Sequence, residues 1–330
     1  MTIETLGDLQ DHLQTAVEVE WSTIPPYLCA LYSIEDGHNL DAATTIRDVV
    51  MEEMLHLTLA SNVLNALGRS PALGAAQMPS YPGPLPHSDE SFEVSLLPLS
   101  PTALETFRRI ELPAAVTAPH QPARYHTIAQ FYEAVEDGLR VVGANPAVWT
   151  GDRAFQVGPE HYYGSGGGAM PVTDLESALA ALEEVVEQGE GSQTSIYEEG
   201  DAGEIAHYYR FDELYRGRRY AHGDTPQSGP TGPPLTVDYD HVRPMAPNPK
   251  AESYAPGSDL RRMADACNAT YTTLVTQLQT AFAGQPDVLT SAVHTMYELK
   301  YQAVALMNVP VGEGQTAGPP FEWAAASAAA

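Results

Sequence analysis

With 330 residues, 43% of them hydrophobic, the chain has material for one large core or about two domains of ordinary size. A formal net charge of −27 argues against nucleic acid or an anionic membrane surface as a partner. No stretch reaches the roughly 18 consecutive apolar residues of a membrane span, and Cys29 and Cys267, far apart and in no CxxC pair, suggest neither a disulfide framework nor a thiolate metal site.

The first stretch, "MTIETLGDLQDHLQ", has no basic region followed by an apolar run, so a cytoplasmic protein is expected. Apolar residues at helical spacing (Leu9, Leu13, Val17, Ile24, Leu28, Leu31) predict a helix over about 3–36. Pro25 and Pro26 interrupt it and should open or bend it about one turn beyond Glu20. After the short "DGHN" link, Ile46, Val49, Val50, Leu57, Ala60 and Leu64 predict a second helix over about 41–68. Residues 69–125, rich in Pro, Gly and Ser, read as a long covering insertion with a short strand at "FEVSLLPL". A helix over about 127–142 follows, then a second irregular stretch to 172. Helices over about 173–190, with Thr173 as N-cap, and about 202–219 read as a second antiparallel pair. A Pro/Gly-rich loop, 221–257, precedes two more helices at about 258–283 and 286–308, and the tail runs over 309–330. The whole is expected to be a single all-α domain.

Two polar insertions on apolar faces carry the chemistry. Glu53-x-x-His56 lies among Val49, Val50, Leu57 and Ala60, and Glu204-x-x-His207 is followed by Phe211 and Leu214. Residues three apart on a helix share a face, so each pair can present a carboxylate and an imidazole to one point. A lone buried carboxylate would cost several kcal/mol, whereas a cation supplies both charge and partner. Dimetal bundles add a Glu from each of the other two helices. On the first helix Glu20 is in phase with Leu13, Val17, Ile24 and Leu31, and Glu18 is not. Glu20 also lies about as far before the link as His56 lies beyond it, roughly 24 Å at 1.5 Å per residue. On the third helix Glu190 lies about 50° from the apolar stripe and Glu187 about 110°. Glu190 is favoured, and Glu187 is kept in reserve. The set contains no Cys or Met, which points to hard or borderline ions: two divalent cations, iron first and manganese second.

The stretches "LQTAVEVEWSTIPPYLCALYSI", "VVMEEMLHLTLASNVLNALG", "VVEQGEG", "AHYYRFDELYRGRR" and "AGPPFEW" resemble the ferritin-like domain of the iminophenyl-pyruvate dimer synthase family. That resemblance implies a ferritin-like four-helix bundle with additional C-terminal helices and long irregular insertions. It places Glu20, Glu53, His56, Glu190, Glu204 and His207 in the metal-binding positions. It also implies an oxidative role in natural-product biosynthesis.

The function expected from these features is that of a di-iron oxidoreductase acting with O2 or peroxide on a small amino-acid-derived substrate. The alternatives are a metal-storage or ferroxidase protein and a non-catalytic metal-binding module. Homo-oligomerisation is left open. Tyr27, Tyr208 and Tyr209 are near enough in sequence to hydrogen-bond the site, although aromatic packing is the plainer role for each. The insertions carry Tyr81, Phe92, Trp149, Phe155, Tyr162 and Tyr163, which could line a cavity over the metals.

Overall fold

Two long amphipathic helices form the spine. In the computed structural model, which describes residues 2–115, 117–164, 166–192, 194–197 and 204–324, α1 runs over Leu6–Ser33 and α2 over Leu40–Ala66. Thr5 caps α1 by accepting from the Asp8 N–H. Four shorter helices follow the pair in the order α3 (Pro101–Ile110), α4 (Ile128–Val142), α5 (Leu175–Gln188), α6 (His207–Arg216), with α7 (Asp259–Phe282) and α8 (Leu289–Leu306) closing the helical part. The only sheet among the described residues is the small hairpin of β1 (Pro310–Gly312) and β2 (Gln315–Thr316). None of the described helices is long and apolar enough to cross a membrane. Both cysteines are buried and free.

The third and fourth positions of the bundle are each filled by two shorter helices set end to end. Leu99 donates to Ser33 Oγ, Phe107 packs on Tyr27, and the α4 residue Gly138 lies against Ile3, so α3 and then α4 run antiparallel to α1. In the same way Gln188 at the end of α5 meets His56, while Arg219, just beyond α6, reaches Asp41 at the start of α2. The chain α5 then α6 therefore follows one line along α2. This corrects the expectation that these two helices make a hairpin. The α7–α8 hairpin packs outside, with Trp21 Nε1 donating to Tyr271 at 2.8 Å.

Several boundaries also differ from the sequence reading. Residues 69–125 contain α3, whose start is a Ser100 N-cap followed by Pro101 in the first turn. The expected strand at 92–99 is reduced to one bridge between Val94 and Gly83. The N-cap of α5 is Asp174, in a reciprocal capping box with Ser177, and not Thr173. Helix α6 begins at His207, so Glu204 stands outside it.

The prolines do not open α1. The helix continues through Pro25 and Pro26, and both are buried. Pro26 has no N–H to give the Ser22 carbonyl, and that carbonyl instead accepts from the buried Tyr81 hydroxyl at 2.7 Å. Replacing Tyr81 with phenylalanine is expected to cost about 1–2 kcal/mol of stability while leaving the metal content unchanged. Chemical denaturation alongside metal analysis checks this, and an unchanged midpoint would mean that the carbonyl is satisfied otherwise.

Candidate metal centre

The two breaks, between α3 and α4 and between α5 and α6, fall at the depth of Glu20 and His56, and a buried polar cluster forms there. Glu20, Glu53, His56, Glu111, Glu190 and His207 are all almost fully enclosed. Two triads share Glu53. One consists of Glu20, Glu53 and His56, the other of Glu53, Glu111 and His207, and in each the ligand atoms lie within 4.8 Å of one another. His56 Nδ1 is 3.5 Å from Glu20 Oε2 and 3.6 Å from Glu53 Oε1. His207 Nδ1 is 3.0 Å from Glu53 Oε1 and 3.8 Å from Glu111 Oε2. The two rings face each other with centroids 5.4 Å apart.

Both imidazoles are oriented from outside the cluster. Nε2 of His207 donates to Glu52 Oε2 at 2.7 Å, and Glu52 is in turn gripped by Arg210 Nη1 at 2.9 and 3.0 Å. Nε2 of His56 donates to Gln188 Oε1 at 3.0 Å, and Gln188 is fixed because its amide nitrogen donates to Glu184 and to the Gly166 carbonyl. With Nε2–H committed outward, each ring once deprotonated at Nδ1 presents that lone pair to the carboxylates, the arrangement that outer hydrogen bonds impose on metal-bound histidines. Gly166, at φ +83°, brings backbone so close to Glu52 that a Cβ would lie 2.4 Å from its Cγ.

Hydroxyls hold the carboxylates in turn. Tyr132 donates to Glu20 Oε1 at 2.5 Å, Thr23 to Glu53 and Tyr27 to Glu111. Two polar atoms remain unpartnered and buried: Glu190 Oε2, and His207 Nδ1, whose approach to Glu53 is not angled as a hydrogen bond.

The electrostatics carry the same message. Burial, with Glu53 as a like-charged neighbour, lifts the carboxyls of Glu20 and Glu111 above their usual range. Burial and the charges of Glu111 and Glu20 lift Glu190 well above it. Burial also works against the imidazolium of His56, but Glu20 and Glu53 outweigh it and raise that ring to about 10. His207 is raised well above its normal value despite burial, by Glu111, Glu52 and Glu53. Glu53 is the exception, because the adjacent imidazoles of His207 and His56 overcome its burial and bring it to about 2. Protein groups alone therefore keep this cluster neutral only by holding protons in it. Four carboxylates with two inward-facing imidazole nitrogens suit two divalent cations, which would supply the matching charge and take up both unpartnered atoms.

The structure brings together Glu20, Glu53, His56, Glu190 and His207 and leaves Glu204 out. Glu204 is half exposed, 3.9 Å from Arg210, and its place in the cluster is held by Glu111, directly after α3. The Pro, Gly and Ser of residues 69–125 hide the helix that carries Glu111; the Ser100-Pro101 start and the helical spacing of Ala103, Leu104, Phe107 and Ile110 are the signals that reveal it. Glu187 is half-buried on α5 and belongs to neither triad. Of the three tyrosines, Tyr27 touches the cluster. Tyr208 meets Arg108, and Tyr209 donates to Ser192. Tyr132 was not anticipated. The six insertion aromatics do not converge over the cluster: Tyr81 serves Ser22, Tyr162 donates to Met51 O, Trp149 to Gly143 O, Phe92 lies under Arg109, and Phe155 and Tyr163 are exposed.

The ferritin-like family model matches residues 13–216, the stretch that runs from within α1 to the end of α6 and holds every residue of the cluster. Over 97% of its length the chain is 26% identical to 2-imino-3-(indol-3-yl)propanoate dimerase of Chromobacterium violaceum. Over the same share it is 25% identical to dichlorochromopyrrolate synthase of Lentzea aerocolonigenes. It covers 34% and 36% of these two proteins, so the chain spans about a third of the length of the curated relatives it matches. A ferritin-like protein from Caulobacter vibrioides, 24% identical, has the same fold, with a TM-score of 0.67 over 97% of this chain and 100% of that one.

Proposed function

Because the chain belongs to the ferritin-like family, we propose that it is a cytoplasmic dimetal oxidoreductase, with iron as the metal, that uses O2 or peroxide to oxidise a small amino-acid-derived compound in natural-product biosynthesis. The observation that carries the reading is the pair of triads sharing Glu53, with Glu190 Oε2 and His207 Nδ1 buried and unpartnered between carboxylates. Both relatives are named for reactions of natural-product biosynthesis, one of them on an indolyl imino acid. That substrate class is extended here to this chain.

In this reading Glu20, Glu53 and His56 would hold one ion and Glu53, Glu111 and His207 the other, with Glu190 beside them. When bound, the ions supply the redox equivalents and the Lewis acidity for activating the oxidant. The protein's own part is to fix and to exclude. Gln188 and Glu52 keep both imidazoles turned inward, while Tyr132, Thr23 and Tyr27 set the carboxylate rotamers. The apolar walls of α1 and α2 keep water out, which strengthens each electrostatic contact inside.

Metal-free protein loaded anaerobically with Fe(II) should take up two ions at the cluster. On adding O2, product mass and oxygen consumption should depend on the presence of an aromatic imino-acid substrate at constant iron. Iron uptake running far beyond the bound pair would replace this reading with storage. A tightly held metal with no reaction toward oxidant would replace it with a binding module.

A further inference from the structure

A second cluster of metal-ligating side chains lies outside the buried one, where α1 hands over to α2. Glu35 directly follows the α1 C-cap Ile34, His38 sits in the link to α2, and His241 ends a short 3-10 turn, Tyr239–His241, far along the chain. One ligand atom from each of the three lies within 4.8 Å of the others. His241 Nδ1 is 3.0 Å from Glu35 Oε2, and the two imidazoles stack with centroids 3.5 Å apart and planes 14° apart.

Backbone contacts hold the three positions together independently of these side chains. The Glu35 N–H donates to the His241 carbonyl at 3.1 Å, the His38 N–H donates to the Glu35 carbonyl at 3.1 Å, and Ile34 bridges Val242. Asn39 and Asp238 exchange two hydrogen bonds, at 2.9 and 2.7 Å. An ion entering here would not have to order a loop, which is the usual cost of binding to a flexible one.

A salt bridge explains one of the imidazoles and not the other. Glu35 can neutralise His241 alone, and a second imidazole stacked on it adds nothing to that pair. Two imidazoles and a carboxylate, with ligand atoms within 4.8 Å of one another, are the donor set of a borderline divalent ion with water completing the coordination.

We propose that Glu35, His38 and His241 form a surface site for a zinc-class divalent cation, separate from the buried cluster, that clamps the α1–α2 link to the segment 238–243. Occupancy would stabilise the folded chain by mass action.

Co(II) is the probe, added to metal-stripped full-length protein, with bound cobalt counted and visible absorption recorded. His38→Ala should bind one ion fewer per chain than the parent and lose the absorption of the His-ligated surface ion. Glu53→Ala should retain that ion and its spectrum whatever happens at the buried cluster, so failure of the dimetal reading and failure of this one are told apart. In the Glu53→Ala background, zinc should raise the melting temperature, and adding Glu35→Gln, which keeps the size of the side chain, should weaken that response at least ~10-fold in zinc concentration. Cobalt stoichiometry and spectrum unchanged by His38→Ala would overturn the proposal, as would a Glu53→Ala protein that binds no ion. If His38→Ala fails to fold by circular dichroism, the Glu35→Gln zinc titration decides alone.

Discussion

Replacing Glu53 with alanine is expected to abolish tight loading of both buried ions, whereas Glu20→Ala and Glu111→Ala should each weaken one, and Glu204→Ala neither. Glu53 is the residue common to the two triads, with Oε1 reaching both imidazoles and Thr23 on its other oxygen. Losing a shared ligand leaves each ion short of a donor and strips one of the negative charges that hold the pair. Loss of an outer hydrogen bond alone typically costs about 10–100-fold in metal affinity, so removing the residue common to both triads should exceed the upper end of that range. Glu111 and Glu204 give the sharper comparison. Glu204 is half exposed beside Arg210, and its removal costs a surface contact. Glu111 is buried against Tyr27 and His207. Metal analysis of the four variants after equal loading, with circular dichroism to confirm folding, separates the outcomes. Full occupancy in Glu111→Ala, or a loss in Glu204→Ala, would show that the second triad is drawn wrongly.

The half of the site on the long helices was legible because uninterrupted helical periodicity fixes phase and depth together. On α1 and α2 a glutamate or histidine within an apolar stripe has only one direction to point, and Glu20, Glu53 and His56 follow from that. The other half sits at helix breaks, where periodicity gives no direction. Glu190 lies just past the C-cap Gly189, and His207 opens α6. Glu111 is itself the C-cap of a ten-residue helix. The Glu204-x-x-His207 spacing matched that of Glu53-x-x-His56, yet a three-residue spacing puts two side chains on one face only if the backbone between them is helical, and residues 204–206 are not.

The proline pair shows the same limit from the other side. Local chemistry required the Ser22 carbonyl to lose its helical donor, but which group would replace it depended on a loop some sixty residues on. Tyr81 supplied the hydroxyl, and the helix needed no opening. The outward hydrogen bonds of Gln188 and Glu52 were likewise out of reach, since both depend on how α5 and α6 align with α2.

The metal-free protein is expected to lose stability as pH rises from 6.5 toward about 10, and bound metal should cancel that loss. Glu20, Glu111 and Glu190 are held above their unfolded value of 4.5, and His56 and His207 above 6.5. A group whose pKa is raised on folding stabilises the fold fully below its unfolded pKa, and that contribution disappears as pH climbs through the folded pKa. For His56 the window runs from 6.5 to about 10, and the raised carboxyls add to it from 4.5 upward. Glu53 acts in the opposite sense. Its stabilisation is complete above 4.5 and is lost only as pH falls toward about 2, so it does not offset the alkaline decline. Divalent ions take the place of those protons, and fewer must be displaced as pH rises, so affinity increases in the same interval. The melting temperature of metal-free protein should therefore fall by on the order of 5 °C across it, while the interval between loaded and metal-free curves widens. Scanning calorimetry of both forms at matched ionic strength measures the two trends. Parallel curves would mean that the cluster does not exchange protons for metal, and the assignment of its carboxylates as ligands would fall with them.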